Sequence, residues 1–169
     1  MLEIAKKTIE AKLEGRDYFP SKVLQEKYSE PQGCFVTLYL DGLLKGCIGI
    51  IEPIMPLWKT IKEASKSAAF QDPRFNAITQ EELERVKIEI SVLSLPTLVE
   101  DVSNIIIGQD GLIIKKDNKS GLLLPQVAIQ QGWNRDEFLN NVCLKAGLHK
   151  DCWKEKNIHI FKFQAKIYK

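Results

Sequence analysis

Cys47 is the residue best placed to do chemistry. It sits in Leu44-Lys45-Gly46-Cys47-Ile48-Gly49, on what reads as a strand leaving a tight turn. Glycine loses chain entropy and packs nothing, so a strand that only filled a core would not carry two. Gly46 and Gly49 therefore bare the backbone around the thiol, for a ligand or for a neighbouring stretch of chain. A catalytic thiol needs a nearby cation or helix N-terminus to favour the thiolate. Lys45, two residues away, is expected on the same strand face and offers modest help. A histidine would be a stronger partner, but only His149 and His159 exist, both distant in sequence. Cys47 could serve as a nucleophile, a carrier thiol or a ligand, or simply as a small buried hydrophobe where strand meets helix.

Other residues form smaller constellations. Asp72 and Arg74 bracket Pro73 in a stiff loop, where they either hold an anionic or amide-bearing ligand or clamp a neighbouring loop through a salt bridge; Phe75 would anchor that loop. Gln126 follows Pro125 near a predicted helix start, where free backbone N–H groups can take an anion or the Gln126 amide can cap a strand end. Trp133 and Trp153 are core plugs or ligand platforms. Cys143, His149 and Cys152 have a spacing that matches no closed structural zinc pattern, so no metal is expected. No phosphate-binding glycine loop or Ser-His-Asp set is present, and no cofactor is expected.

The elements that must position these residues are legible in outline. Leu2 to Leu13 carries Ile4, Ala5, Ile9 and Leu13 at helical spacing, with Gly15 to end it. An irregular segment is expected from there to Gln32. Cys34 to Leu40 is rich in β-formers, and Asp41-Gly42 suits a two-residue type I′ turn. That turn predicts Leu38 opposite Lys45, Val36 opposite Cys47, and Cys34 diagonal to Cys47, too far for a bridge. Pro56 is placed to open a helix with a Leu57, Ile61, Ala64, Ala68 stripe. Thr79 with Glu82 fits a capping box. Val86, Ile88, Ile90 and Val92 alternate as a half-buried strand. Residues 102–107 read as a strand or an irregular segment, and 112–124 as a meander. Pro125 opens a short helix ended by Gly132, and Asn134 caps the next, whose buried face is Phe138, Leu139, Val142 and Ala146. Phe161, Phe163, Ala165 and Ile167 alternate as one closing strand. Hairpins mixed with helices, without regular βαβ alternation, predict an α+β fold with a mostly antiparallel sheet and flanking helices. No linker separates a second independent domain, so residues 1–169 read as a single domain.

Composition narrows the function. The 169 residues are 44% hydrophobic and 27% charged with a net charge of +2, which excludes wholesale disorder. No dense basic stripe marks a nucleic-acid binder; Lys162, Lys166 and Lys169 read as a solvated strand face. No apolar run approaches the roughly 18–20 residues of a membrane span, and no signal core follows the N-terminus, so a cytoplasmic location is expected. The four cysteines lack any Cys-x-x-Cys pair and read as free thiols.

Several segments in this order resemble one family: Cys34-Phe35-Val36-Thr37-Leu38, Leu44-Lys45-Gly46-Cys47-Ile48-Gly49, Asp72-Pro73-Arg74-Phe75, Ile88-Glu89-Ile90-Ser91-Val92-Leu93, Gly121-Leu122-Leu123-Leu124-Pro125-Gln126-Val127-Ala128, Gly132-Trp133, Phe138-Leu139 and Cys143-Leu144-Lys145-Ala146-Gly147-Leu148. It is the AMME-syndrome candidate domain family, whose prokaryotic members are called protein A of the AmmeMemoRadiSam system. The resemblance covers nearly the whole chain. The family usually has Arg before Gly-Cys-Ile-Gly where this chain has Lys45, a point charge rather than a bidentate fork. The resemblance implies unequal lobes enclosing a cavity. It also implies association, by gene neighbourhood, with a Memo-type protein and a radical S-adenosylmethionine (SAM) enzyme. Three functions follow as expectations: a substrate- or partner-binding component of a modification pathway, an enzyme using Cys47 on a small molecule, and, weakest, a nucleic-acid-binding regulator.

Overall fold

A computed structural model describes residues 1–169. The chain divides into two compact units, Met1–Leu93 with Lys166–Lys169, and Ser94–Ala165. In the first, helices α1 (Leu2–Leu13) and α2 (Lys22–Lys27) precede a hairpin of β1 (Cys34–Leu40) and β2 (Leu43–Ile50). Helices α3 (Leu57–Phe70) and α4 (Gln80–Leu83) and strand β3 (Val86–Leu93) follow. The second unit holds β4 (Thr97–Leu98), β5 (Gly111–Lys116), β6 (Lys119–Leu123), α5 (Pro125–Gln131), α6 (Arg135–Lys145) and β7 (His159–Phe163). The last strand, β8 (Ala165–Tyr168), returns the chain to the first unit's sheet.

Each unit is built on a four-stranded sheet. In the first the order is β2-β1-β3-β8, with β1 antiparallel to both β2 and β3. Cys34, Val36 and Leu38 of β1 pack against Ile4 and Ile9 of α1 and Ile61, Ala64 and Ala68 of α3. Burying one such isoleucine is worth about 2–3 kcal/mol, so the apolar stripes of α1 and α3 hold both helices to one sheet face. The second sheet has the order β4-β7-β5-β6. There, Leu112 and Ile114 of β5 and Ile160 of β7 meet Phe138, Leu139 and Val142 of α6. The α+β architecture with antiparallel sheets and flanking helices is the expected one.

Local signals operate as read. Asp41 and Gly42 both adopt positive φ, 51° and 85°, as a type I′ turn requires. Capping boxes form at Thr79 with Glu82 and at Asn134 with Glu137. Gly132 closes α5 in the left-handed conformation.

Four details differ from the sequence reading, and one open alternative is resolved. The segment before Gln32 contains α2, started by the Ser21 side chain accepting from the Leu24 N–H. A bulge beside Leu38 and Tyr39 shifts the hairpin register by one, so Thr37, not Val36, faces Cys47, Leu38 faces Gly46, and Cys34 faces Ile50. Residues 102–107 take the irregular alternative of the two expected, with a single 3-10 turn over 102–104. The closing alternation is cut at Gln164 into β7 and β8, which belong to different sheets. Finally, two of the four cysteines are not free: Cys143, on α6, and Cys152 form a disulfide, with Cα atoms 6.0 Å apart. The reversal at Gly147, which has φ 70°, carries the chain back to the helix. A search for Cys-x-x-Cys spacing misses a pair brought together in this way.

Candidate functional site

Strand β2 lies at the sheet's edge, so every second N–H and C=O along it faces away from β1. At Cys47 both groups are taken by one loop. The Asp72 carboxylate accepts the Cys47 N–H at 2.9 Å, and the Arg74 guanidinium donates to the Cys47 carbonyl at 3.0 Å. Asp72 also accepts from the Arg74 backbone N–H at 3.1 Å and from the guanidinium at 2.9 and 2.7 Å. Pro73 stiffens the turn that makes this possible. The Asp72 side chain is only 2% exposed, whereas that of Arg74 is 55% exposed. Arg74 rests over the half-buried Phe75 ring, 5.3 Å from its centre. A buried carboxylate thus closes the strand edge while a cation beside it meets solvent.

Electrostatics follow from that pairing. The Arg74 guanidinium hydrogen-bonded to Asp72 holds its carboxyl well below the usual range. Burial opposes this, and the Cys47 N–H adds to it. Arg74 is raised in turn, first by Asp72 and in smaller part by Cys47 beside it. The Cys47 sulfur is half-buried and accepts a hydrogen bond from the Thr37 hydroxyl at 3.3 Å. Cys34, on the helix-facing side of β1, is fully buried, and burial pushes its thiol up to about 12. It stays a neutral thiol at physiological pH.

The flanking glycines have separate tasks. A Cβ at Gly46 would collide with the carbonyl oxygen of Ala68 on α3; glycine here lets helix and strand approach on the core face. A Cβ at Gly49, on the opposite face, would collide with the Phe35 ring. Both bare positions are therefore occupied by the protein itself. Lys45 does not turn to the thiol. Its ammonium pairs with Glu82 at 2.7 Å, both side chains being largely buried. That bond, followed by the Thr79 N–H in the capping box, lowers the Glu82 carboxyl.

The structure brings Cys47, Asp72 and Arg74 into direct contact, with Gly46 and Gly49 supporting the strand on either side and Lys45 committed to Glu82. Gln126 lies in the second unit, half-buried at the second position of α5. Trp133 and Trp153 pack against the second unit's core, and the Trp153 indole N–H donates to Asn140 at 2.9 Å. Cys143 and Cys152 are spent on each other, and no group of three or more His, Cys, Asp or Glu is placed to hold a metal ion. Sequence reasoning missed Thr37 and the Lys45–Glu82 pair. Only a correct register could have found the first, whereas Glu82 was visible merely as a capping residue.

An α+β protein with a sealed edge strand, a helix seated on its glycine and a half-buried thiol is the class this geometry defines. The chain matches the AMMECR1 family model over residues 2–168 and belongs to that family. It is similar to a protein of Nanoarchaeum equitans, 43% identical over 99% of this chain and 97% of that one. It is also similar to a protein of Methanocaldococcus jannaschii, 46% identical over 85% of this chain and 75% of that one. Among solved structures, that of an uncharacterized protein from Pyrococcus horikoshii superposes with a TM-score of 0.89 at 39% identity, covering 98% of this chain and 87% of the other. No helix is long and apolar enough to cross a membrane.

Proposed function

We propose that this chain is a binding component of a modification pathway, holding a substrate or partner for a Memo-type protein and a radical SAM enzyme. The carrying observation is the commitment of every charged group around Cys47. The sulfur accepts from the Thr37 hydroxyl, Lys45 is paired with Glu82, and Asp72 is taken up by Arg74 and the Cys47 amide. No histidine or free carboxylate is hydrogen-bonded to the sulfur to act as a base, which nucleophilic catalysis by a thiol ordinarily requires. What remains is a rigid strand with a half-exposed guanidinium beside it, a pre-organised recognition surface. The partners follow from the family resemblance. Native mass spectrometry of the chain co-expressed with both tests the reading. Retention of a partner or ligand that survives Cys47→Ala and weakens on Arg74→Glu is expected. No association, together with no effect of the chain on either protein's turnover, would contradict it.

One observation favours a second reading, in which Cys47 is a nucleophile: the Arg74 guanidinium donates to the Cys47 carbonyl at 3.0 Å, which brings a cation to the residue that carries the thiol. On that reading Cys47 alkylates near neutral pH faster than an unstructured thiol does, and an alkylation rate at or below that of glutathione ends it.

A further inference from the structure

Four consecutive residues of β3, Val86, Lys87, Ile88 and Glu89, line one groove of about 660 Å³, together with Leu2, Glu3 and Lys6 of α1, the hairpin residues Tyr39 and Gly42, and Lys169. Successive strand residues point to opposite faces of a sheet, so a groove touching all four runs along the strand's edge rather than over a face. β8 has four residues against eight in β3, so it pairs with at most half of that edge. The Lys169 ammonium, 3.0 Å from Glu89, marks the level β8 reaches.

Register shows which backbone groups face the groove. The Leu93 N–H donates towards β1, to the Gly33 carbonyl, and β1 and β3 pair without interruption from Cys34 with Val92 to Leu40 with Val86. Alternation then directs Lys87 and Glu89 to β1 and the N–H and C=O of Val86 and Ile88 outward. No strand of residues 1–169 accepts them in that stretch. An unpaired edge of this kind is a template for another strand.

We propose that this edge docks an extended peptide of a partner protein that alternates apolar and acidic residues. Apolar side chains of the added strand lie beside Val86, Ile88 and Leu2, on the helix-covered face. Acidic ones lie beside Lys87 on the other face. Lys6 pairs with Glu10, Glu3 with Lys7 and Glu89 with Lys169, whereas Lys87 is exposed and makes no ion pair. Among the charged side chains that line the groove, Lys87 alone makes no ion pair, and it is positive. Main-chain hydrogen bonds supply affinity, and alternate side chains supply selectivity. The proposal stands apart from the Cys47 reading and shares none of its polar contacts.

The probe is a short acetylated, amidated peptide of alternating valine and aspartate, titrated into the intact chain and read by fluorescence anisotropy. Saturable binding is expected. Methylating the peptide's inward-facing amide nitrogens, which leaves the protein untouched, should weaken it about tenfold or more. Lys87→Glu should weaken the aspartate peptide about tenfold and favour a valine–lysine peptide instead. Equal binding of the methylated peptide, or no saturation up to about 1 mM, overturns the proposal. So does sedimentation showing a dimer that Lys87→Glu dissociates, since the edge would then belong to a second copy.

Discussion

Two stretches of the first sheet that lack a neighbouring strand, β2 at its edge and the part of β3 beyond β8, meet the same problem differently. At Cys47, β2 is closed by side chains: Asp72 takes the N–H and Arg74 donates to the carbonyl, while α3 presses on the strand through Gly46. Along Val86–Glu89, no strand or side chain of residues 1–169 is hydrogen-bonded to the outward groups of β3, and a groove lies there beside α1. Exposed edges invite pairing with other chains, and proteins commonly cover or charge them. One edge here is covered with an ion-paired loop. The other carries an exposed, unpaired Lys87 beside an apolar stripe. The closed edge is built for rigidity, and the open one is left available.

Substitutions can break the comparison at either side. The largest effect is expected from Gly46→Ala, whose new methyl has no room against the Ala68 carbonyl. Overpacking of this kind should cost about 3 kcal/mol in urea unfolding, and a loss within experimental error would mean that α3 is not seated on this strand. Asp72→Ala leaves the Cys47 amide and one side of Arg74 unsatisfied and should cost about 2 kcal/mol. Acid sharpens the same point. The folded-state pKa of Asp72 lies below its unfolded value of about 4, so its contribution is complete above that pH and fades as pH falls towards the folded value. Wild type and Asp72→Ala should therefore differ in urea midpoint at pH 7, and the gap should begin to narrow below about pH 4 and shrink steadily with further acid. A gap that widens in acid contradicts the assignment. At the open edge, Lys87→Glu should change stability by less than about 0.5 kcal/mol, because the side chain touches no partner. A larger loss would show that this edge is already engaged.

Much of this architecture is legible in the chain. Asp41-Gly42, the Thr79–Glu82 and Asn134–Glu137 boxes and the Leu57 to Ala68 stripe are short-range signals, and each forms its element. What escapes is set by distance. The bulge beside Leu38 has no local mark, yet it decides that Thr37 rather than Val36 meets Cys47. Alternation from Phe161 to Ile167 reads as one strand because a switch between sheets at Gln164 preserves the pattern. The Cys143–Cys152 pair depends on a helix end and a chain reversal. In the candidate site, the choice of Cys47, Asp72 and Arg74 was open to sequence, but their contact spans 25 residues in sequence. Gly46 and Gly49 signal exposed backbone in the sequence, and the structure fills that space with Ala68 and Phe35. Only packing could identify those occupants.

Amide hydrogen exchange, resolved by residue, tests the contrast most directly. The Cys47 N–H should be protected through its bond to Asp72 and lose that protection in Asp72→Ala, while the Ile88 N–H, outward and unpaired, exchanges rapidly in the free protein and slows when the valine–aspartate peptide is added. Equal protection of Cys47 and Ile88 in the free protein would contradict the account of one closed edge and one open edge.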